Sequence, residues 1–168
     1  MRKIFFVTVA MLIALTALTG TTFAKRSYRP VGVIIVDGTE KKLGSYINAV
    51  ESLLQPQSRA QVFVGDKMQF QYQKYLIGFG KSDEDYQVTR DDLIEFTRLS
   101  GCKKVLFLMN SDATDGDKNS LRVDAYLCTN DGVQETFTAT ETFDSPRDRR
   151  GAFRKCLTEI VKPLNQIL

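Results

Sequence analysis

The side chains that could support chemistry in this sequence are carboxylates, amides and thiols, because the chain contains no histidine. Histidine is the commonest general base and metal ligand near neutral pH, so its absence excludes Ser-His and Cys-His nucleophile pairs and imidazole metal sites. We therefore expect no catalytic residue, no cofactor and no resident metal. A hydrolase that relies on carboxylates is the remaining catalytic alternative.

Oxygen ligands are clustered between residues 110 and 120, a polar stretch whose composition predicts a loop. Asp112, Asp115 and Asp117 lie there beside Asn110 and Asn119, and oxygen ligands of this kind can hold Ca²⁺. The spacing does not fit the twelve-residue calcium loop, because Asp115 stands where that loop has glycine. A solvated loop is the favoured interpretation, and a weak calcium site is the alternative.

The three cysteines are Cys102, Cys128 and Cys156. If the two strands that flank the 110–120 stretch are antiparallel neighbours with Met109 facing Leu121, then Cys102 comes opposite Cys128. A disulfide between them is then one interpretation in an oxidising compartment, and two free thiols is the other. Cys156 is expected to be a packed thiol.

Asp37 follows the apolar run Val31–Val36, at the edge where open α/β sheets bind ligands. No glycine-rich loop follows Asp37, so the sequence does not predict nucleotide binding. The adjacent acids Asp83, Glu84 and Asp85 are interpreted as a solvated charge run. A small-ligand binding module that uses the carboxyl edge of the sheet is the alternative function.

A row of threonines alternates with other residues near the end of the chain, at Thr136, Thr138, Thr140 and Thr142. Alternation predicts a strand with these hydroxyls on one face. The row could be a docking surface, and if this strand is the last of its sheet, its open backbone edge could accept a partner strand. A solvent-facing strand with high β propensity is the simpler interpretation.

Met68, Tyr72, Tyr75 and Phe79 recur at helical intervals and predict a second helix. Aromatic residues are concentrated near this helix, at Phe70, Tyr72, Tyr75, Phe79 and Tyr86. Core packing is the default interpretation of this group, and an exposed anchor patch for a partner is the alternative.

The amino terminus predicts export. Residues 1–24 contain Arg2 and Lys3, a short apolar run and small residues that end at Ala24, which is the order of a cleavable signal peptide. No cysteine lies between Thr16 and Ser27, so no lipid anchor is expected. Cleavage would leave 21 basic against 20 acidic residues, a balance that does not favour nucleic acid. Contact with the membrane would be transient, through the signal peptide.

The remaining chain divides into a short segment, residues 25–30, and one domain, residues 31–168. Its pattern predicts an α/β fold with a single five-stranded mixed sheet, in which strands 1–3 are parallel and an antiparallel meander follows, with helices packed on it. Thr89 and Asp92 predict a capping box, and Ser145 with Pro146 predicts the start of the last helix. The predicted strands are 31–36, 60–65, 103–109, 121–127 and 133–143.

The meander has a self-consistent predicted register. Asn130, Asp131 and Gly132 predict a hairpin turn. With the turn there, Ala125 faces Phe137 and Val123 faces Ala139, so the apolar sides of both strands coincide.

This order of elements resembles the α/β domains of the bacterial envelope found in the amino-terminal part of the Tol-system translocation protein, the curli secretion lipoprotein and the penicillin-binding-protein activator lipoproteins. The residues that carry the resemblance are Val31–Val36, Val62–Asp66, Asp92–Ile94 and Ser100–Leu108. The resemblance implies a periplasmic or secreted, non-catalytic interaction domain that contacts other envelope proteins. It names neither the partner nor the oligomeric state.

Overall fold

The computed structural model describes residues 30–38, 43–54, 61–82, 86–115 and 118–168. The predicted signal peptide, residues 25–29, the acidic run 83–85 and Asp117 lie outside the described residues. Among the described residues, no helix is both long enough and apolar enough to cross a membrane.

Five strands form one mixed sheet in the order β2-β1-β3-β4-β5, which confirms the predicted fold class. Strand β1 is parallel to both β2 and β3, and β3, β4 and β5 form an antiparallel meander. The strand bounds are β1 Val31–Asp37, β2 Val62–Phe63, β3 Lys104–Asp115, β4 Lys118–Thr129 and β5 Gly132–Phe143.

One face of the sheet, the closed face, is covered by helices α1 (Gly44–Leu54) and α4 (Arg149–Leu164). Its buried residues come from all five strands, so the cover extends across the sheet. Fully burying one leucine, isoleucine or phenylalanine side chain contributes about 1.5–3 kcal/mol to the free energy of unfolding. The largest side chains with almost no exposure on this face are Tyr46, Leu54, Leu106, Leu108, Leu121, Leu127, Phe153, Leu157 and Ile160.

The opposite face, the split face, is covered only in part. Helices α2 (Asp66–Gly78) and α3 (Arg90–Leu99) pack over Ile34 and Phe107. Further along the same side of β3 and β4, Ser111 and Arg122 are exposed. This face is therefore core where α2 and α3 cover it and surface at Ser111 and Arg122.

Two local predictions are confirmed. Thr89 caps α3, where its side chain accepts a hydrogen bond from the Asp92 backbone N–H and the Asp92 side chain accepts one from the Thr89 backbone N–H. In the meander, Ala125 pairs with Phe137 and Val123 pairs with Ala139.

The predicted loop at 110–120 is wrong at both ends. Strand β3 continues to Asp115 and β4 begins at Lys118, so this polar stretch is mostly a hairpin whose strands pair along their full length. Backbone pairing stabilises it without the apolar alternation that a sequence pattern detects.

Two other predicted boundaries are also wrong. Helix α4 begins at Arg149 rather than near Pro146. Residues 145–148 form a turn instead, in which the Asp148 backbone N–H donates to the Ser145 carbonyl at 2.9 Å and the Ser145 hydroxyl donates to the Asp148 carboxylate at 2.6 Å. Only Val62 and Phe63 form β2, so this strand is much shorter than predicted.

Candidate protein-interaction surface

All four residues of the threonine row, Thr136, Thr138, Thr140 and Thr142, are exposed on β5. Their neighbours on β4 are polar or amphipathic, with Tyr126, Asp124, Arg122 and Ser120 directly opposite. We call the four threonines, these β4 neighbours other than Tyr126, and Ser111 the open face. It is a polar sheet surface that no described helix covers.

A small hydrogen-bond network orders the centre of the open face. The Thr138 hydroxyl donates to Asp124 at 2.6 Å, and the Arg122 Nε lies 2.9 Å from the other Asp124 oxygen. The Arg122 side chain is about half exposed, so this ion pair contributes little to stability. It does hold a charged pair and a hydroxyl in fixed positions at the surface.

Strand β5 is also an edge strand, since it is the last in the sheet and pairs only with β4 among the described strands. It spans twelve residues and contains neither lysine nor proline, two residues that commonly protect such edges from pairing; its charged residues are Glu135 and Glu141. Its opposite side packs on the core of the closed face through the buried Ala139 and Phe143.

The carboxyl edge of β1, where a ligand was the alternative prediction, is occupied by the protein's own side chain. Arg149 reaches from α4 and pairs with Asp37 at 2.8 Å and with Asp112 at 2.9 Å. It also donates to the Tyr46 hydroxyl at 2.6 Å. The Asp37 side chain has no exposed surface and that of Arg149 is 7% exposed, so this is a buried ion pair.

Burial would lower the pKa of Arg149, but its hydrogen bonds to Asp37 and Asp112 outweigh that effect and raise the pKa above the usual range. Arg149 is therefore a permanent cation that neutralises the two carboxylates. Sequence reasoning missed it. One signal for a buried cation was available in the sequence: Arg149 lies four residues before Phe153 and therefore on the apolar side of α4.

The same network includes two of the side chains that the alternative interpretation considered as calcium ligands. Asp112 is in β3 and is bound by Arg149, and the Asn110 amide donates to Asp37 at 2.8 Å. In the part of the chain that the structure describes, no group of three acidic, cysteine or histidine residues could hold a metal ion.

The register on which the Cys102–Cys128 pairing was predicted is wrong. Met109 pairs with Asp124 rather than Leu121, and Cys128 comes opposite Val105. All three cysteines are free and buried in the structure. Burial raises the pKa of the Cys128 thiol to about 11, and that of the Cys156 thiol likewise to about 11, so neither is a thiolate at neutral pH.

A second polar network ties α2 to α3 on the split face. Lys81 donates to Asp92 at 2.6 Å and to Glu95 at 3.1 Å. Asp92 also accepts from the Tyr86 hydroxyl, and Glu95 accepts from Tyr75, both at 2.6 Å. Sequence reasoning identified Asp92 only as a capping residue.

The network changes the pKa values of its members. Burial would raise the pKa of Asp92, but hydrogen bonds from Lys81, Tyr86 and Thr89 hold it well below the usual range. Burial and the hydrogen bond to Glu95 raise the pKa of Tyr75 to about 12.

The aromatic group near α2 divides between the two interpretations. Tyr72 and Tyr75 are buried and pack around Phe96, with ring centroids 5.1 and 5.6 Å away. Phe70 and Phe79 are more than half exposed. Tyr72 and Tyr75 are therefore core, whereas Phe70 and Phe79 lie at the surface; Phe79 follows the end of α2, and its ring centroid is 4.9 Å from that of Tyr75.

Neither a scan against models of known protein families nor a search of curated protein sequences gave a match. Solved structures with a similar fold include the PelC dodecamer from Paraburkholderia phytofirmans, with 16% identity and a TM-score of 0.48, covering 82% of this chain and 87% of that chain. Lipoprotein GNA1162 from Neisseria meningitidis has 15% identity and a TM-score of 0.48, covering 83% and 99%.

The LpoB C-terminal domain from Salmonella enterica is also similar, with 12% identity and a TM-score of 0.42, covering 70% of this chain and 84% of that chain. These similarities show no specific family. Similarity at this level carries no argument about function.

Proposed function

We propose that this chain is a non-catalytic interaction domain of the bacterial cell envelope, which works in the periplasm or outside the cell and binds a partner protein through β5 and the open face. The observation that carries the proposal is that a twelve-residue edge strand without lysine or proline presents four exposed threonines. An extended partner segment could pair with this edge through backbone hydrogen bonds.

The absence of catalysis is part of the proposal. It is supported by a sequence without histidine and by the raised thiol pKa values of Cys128 and Cys156. The carboxylates with the strongest contacts, Asp37 and Asp92, are both neutralised by cations of the same chain. Such carboxylates support the fold and are poor candidates for acid-base work.

The test is to block the edge with charge. Thr136→Lys combined with Thr142→Lys places two lysines on β5, opposite Tyr126 and Ser120 rather than opposite Arg122. We expect the variant to fold normally and to lose complexes that chemical crosslinking recovers with the wild-type protein in the envelope.

The matched control is Thr158→Lys, an equally polar change at an exposed position of α4. It should leave those complexes intact. Complexes that survive in the β5 variant, or that disappear equally in the α4 control, would contradict binding through this edge.

A further inference from the structure

Helix α2 exposes large apolar side chains, whereas α1 and α4, the helices of the closed face, expose none among their described residues. On α2, the Phe70 and Ile77 side chains are 56% and 67% exposed. Within the described part of the chain, the exposed large apolar side chains are Phe63, Phe70, Ile77, Phe79 and Leu99.

Helix α2 is apolar on two opposite sides. Its inner side packs into the core of the split face through Met68, Tyr72 and Tyr75. Phe70 and Ile77 are two helical turns apart and lie on the opposite side, away from the sheet. A surface helix ordinarily has a polar outer side, so the outer side of α2 is suited to an apolar layer outside this chain.

Two exposed lysines lie in line with these apolar side chains. Lys67, Phe70, Lys74 and Ile77 follow one another at intervals of three or four residues, which places them along one side of the helix. We call these four residues the outer stripe. At the rise of an α-helix the outer stripe is about 15 Å long, and basic and apolar residues alternate along it.

The outer stripe has a positive charge. Among the described residues, neither Lys67 nor Lys74 forms an ion pair with a carboxylate. The Lys74 ammonium lies 4.6 Å from the Phe70 ring centroid, an exposed contact that contributes little energy and keeps the charge beside the ring. The acidic residue of α2 is Asp66, at the start of the helix, where a carboxylate interacts favourably with the helix dipole.

We propose that the outer stripe binds the surface of an anionic phospholipid membrane. Phe70 and Ile77 enter the boundary between headgroups and acyl chains, and the two lysines contact the phosphates. A bilayer surface presents anionic oxygens directly above an apolar layer, and lysine stems can lie along apolar groups while their ammonium groups reach the phosphates. This contact is separate from β5 and from the predicted signal peptide, and it does not depend on the interaction proposed above.

The absence of tryptophan from the chain permits a local test. In the full chain carrying Phe70→Trp, phosphatidylglycerol vesicles should shift the fluorescence emission to shorter wavelength, and brominated acyl chains should quench it. Phosphatidylcholine vesicles at the same concentration should do neither. The matched control is Thr158→Trp, at an exposed position of α4. Its emission should not change, which separates binding by the outer stripe from any binding by residues 1–24.

Further changes in the Phe70→Trp protein separate charge from insertion. Lys67→Gln combined with Lys74→Gln should weaken binding by about tenfold or more, since each lysine near an anionic surface contributes about fivefold. Arg154→Gln combined with Lys162→Gln removes the same charge from α4 and should change binding by less than about twofold. Ile77→Ser keeps the charge and should weaken binding by about threefold or more, because it removes apolar surface.

Three results would overturn the proposal: vesicles leave the emission of Phe70→Trp unchanged, they change that of Thr158→Trp equally, or the two charge variants lose equal affinity. A shift that lipid-free envelope proteins cause and vesicles do not would assign the outer stripe to a protein partner, and would overturn the proposal as well.

Discussion

The closed face and the split face of the sheet are stabilised by the same two kinds of interaction, apolar packing and a polar network, but the helices cover the closed face more completely. Each face has an apolar layer and one polar network centred on a buried aspartate, but the cation of the closed-face network is the more deeply buried of the two. The Arg149 side chain is 7% exposed, whereas that of Lys81 is 20% exposed. The closed face is therefore specialised for stability, and the split face leaves β4 and β5 available at the surface.

The largest expected effect comes from breaking the buried network. Arg149→Met leaves Asp37 buried without its cation, so the free energy of unfolding should fall by about 3–5 kcal/mol. Urea denaturation of the purified protein measures this loss.

The control for that variant removes both charges. Arg149→Met combined with Asp37→Leu should recover much of the lost stability, because an apolar pair needs no desolvated charge. If the single variant is as stable as the wild type, the buried pair does not stabilise the closed face.

The second prediction concerns the split face. Asp92→Ala removes the capping box of α3 together with the hydrogen bonds from Lys81 and Tyr86, and should cost about 1–2 kcal/mol. Asp91→Ala, at the exposed neighbouring position, should change stability by less than about 0.5 kcal/mol. Equal losses in the two variants would show that the hydrogen bonds of Asp92 add no stability beyond that of a negative charge in the first turn of α3.

The third prediction is a difference in acid sensitivity. Because the pKa of Asp92 is depressed in the folded state, its contribution is present above its ordinary value of 3.8 and is lost as pH falls through the lower folded value. The wild type should therefore lose more stability than Asp92→Asn between about pH 5 and about pH 2.5. Equal losses would contradict the assigned network.

The predictable parts of this fold are those with local signals. The pairing of Ala125 with Phe137 and of Val123 with Ala139 followed from alternation and a predicted turn at residues 130–132, although the structure has a two-residue turn at 130–131 and a register shift between Leu127 and Cys128. The cap of α3 followed from Thr89 and Asp92. Arg149 and Asp37 are 112 residues apart, so no local pattern joins them. The polar strand ends near residue 115 and the register of Cys128 were missed because long-range pairing, rather than side-chain alternation, determines them.

The smallest expected effect concerns the open face. Thr136→Val combined with Thr142→Val keeps the β-branched shape and removes two exposed hydroxyls, so the free energy of unfolding should change by less than about 0.5 kcal/mol. A thermal melt of the purified variant checks this. A loss comparable with that of Asp92→Ala would show that the threonines support the fold rather than a surface.

Binding through β5 is tested most directly by a photo-crosslinking scan along this strand in living cells, one residue at a time. If a partner binds this edge, adducts should form from Thr138 and Thr140, and none from Thr158 on α4. Adducts that form equally from β5 and α4, or only from α4, would contradict binding at this edge.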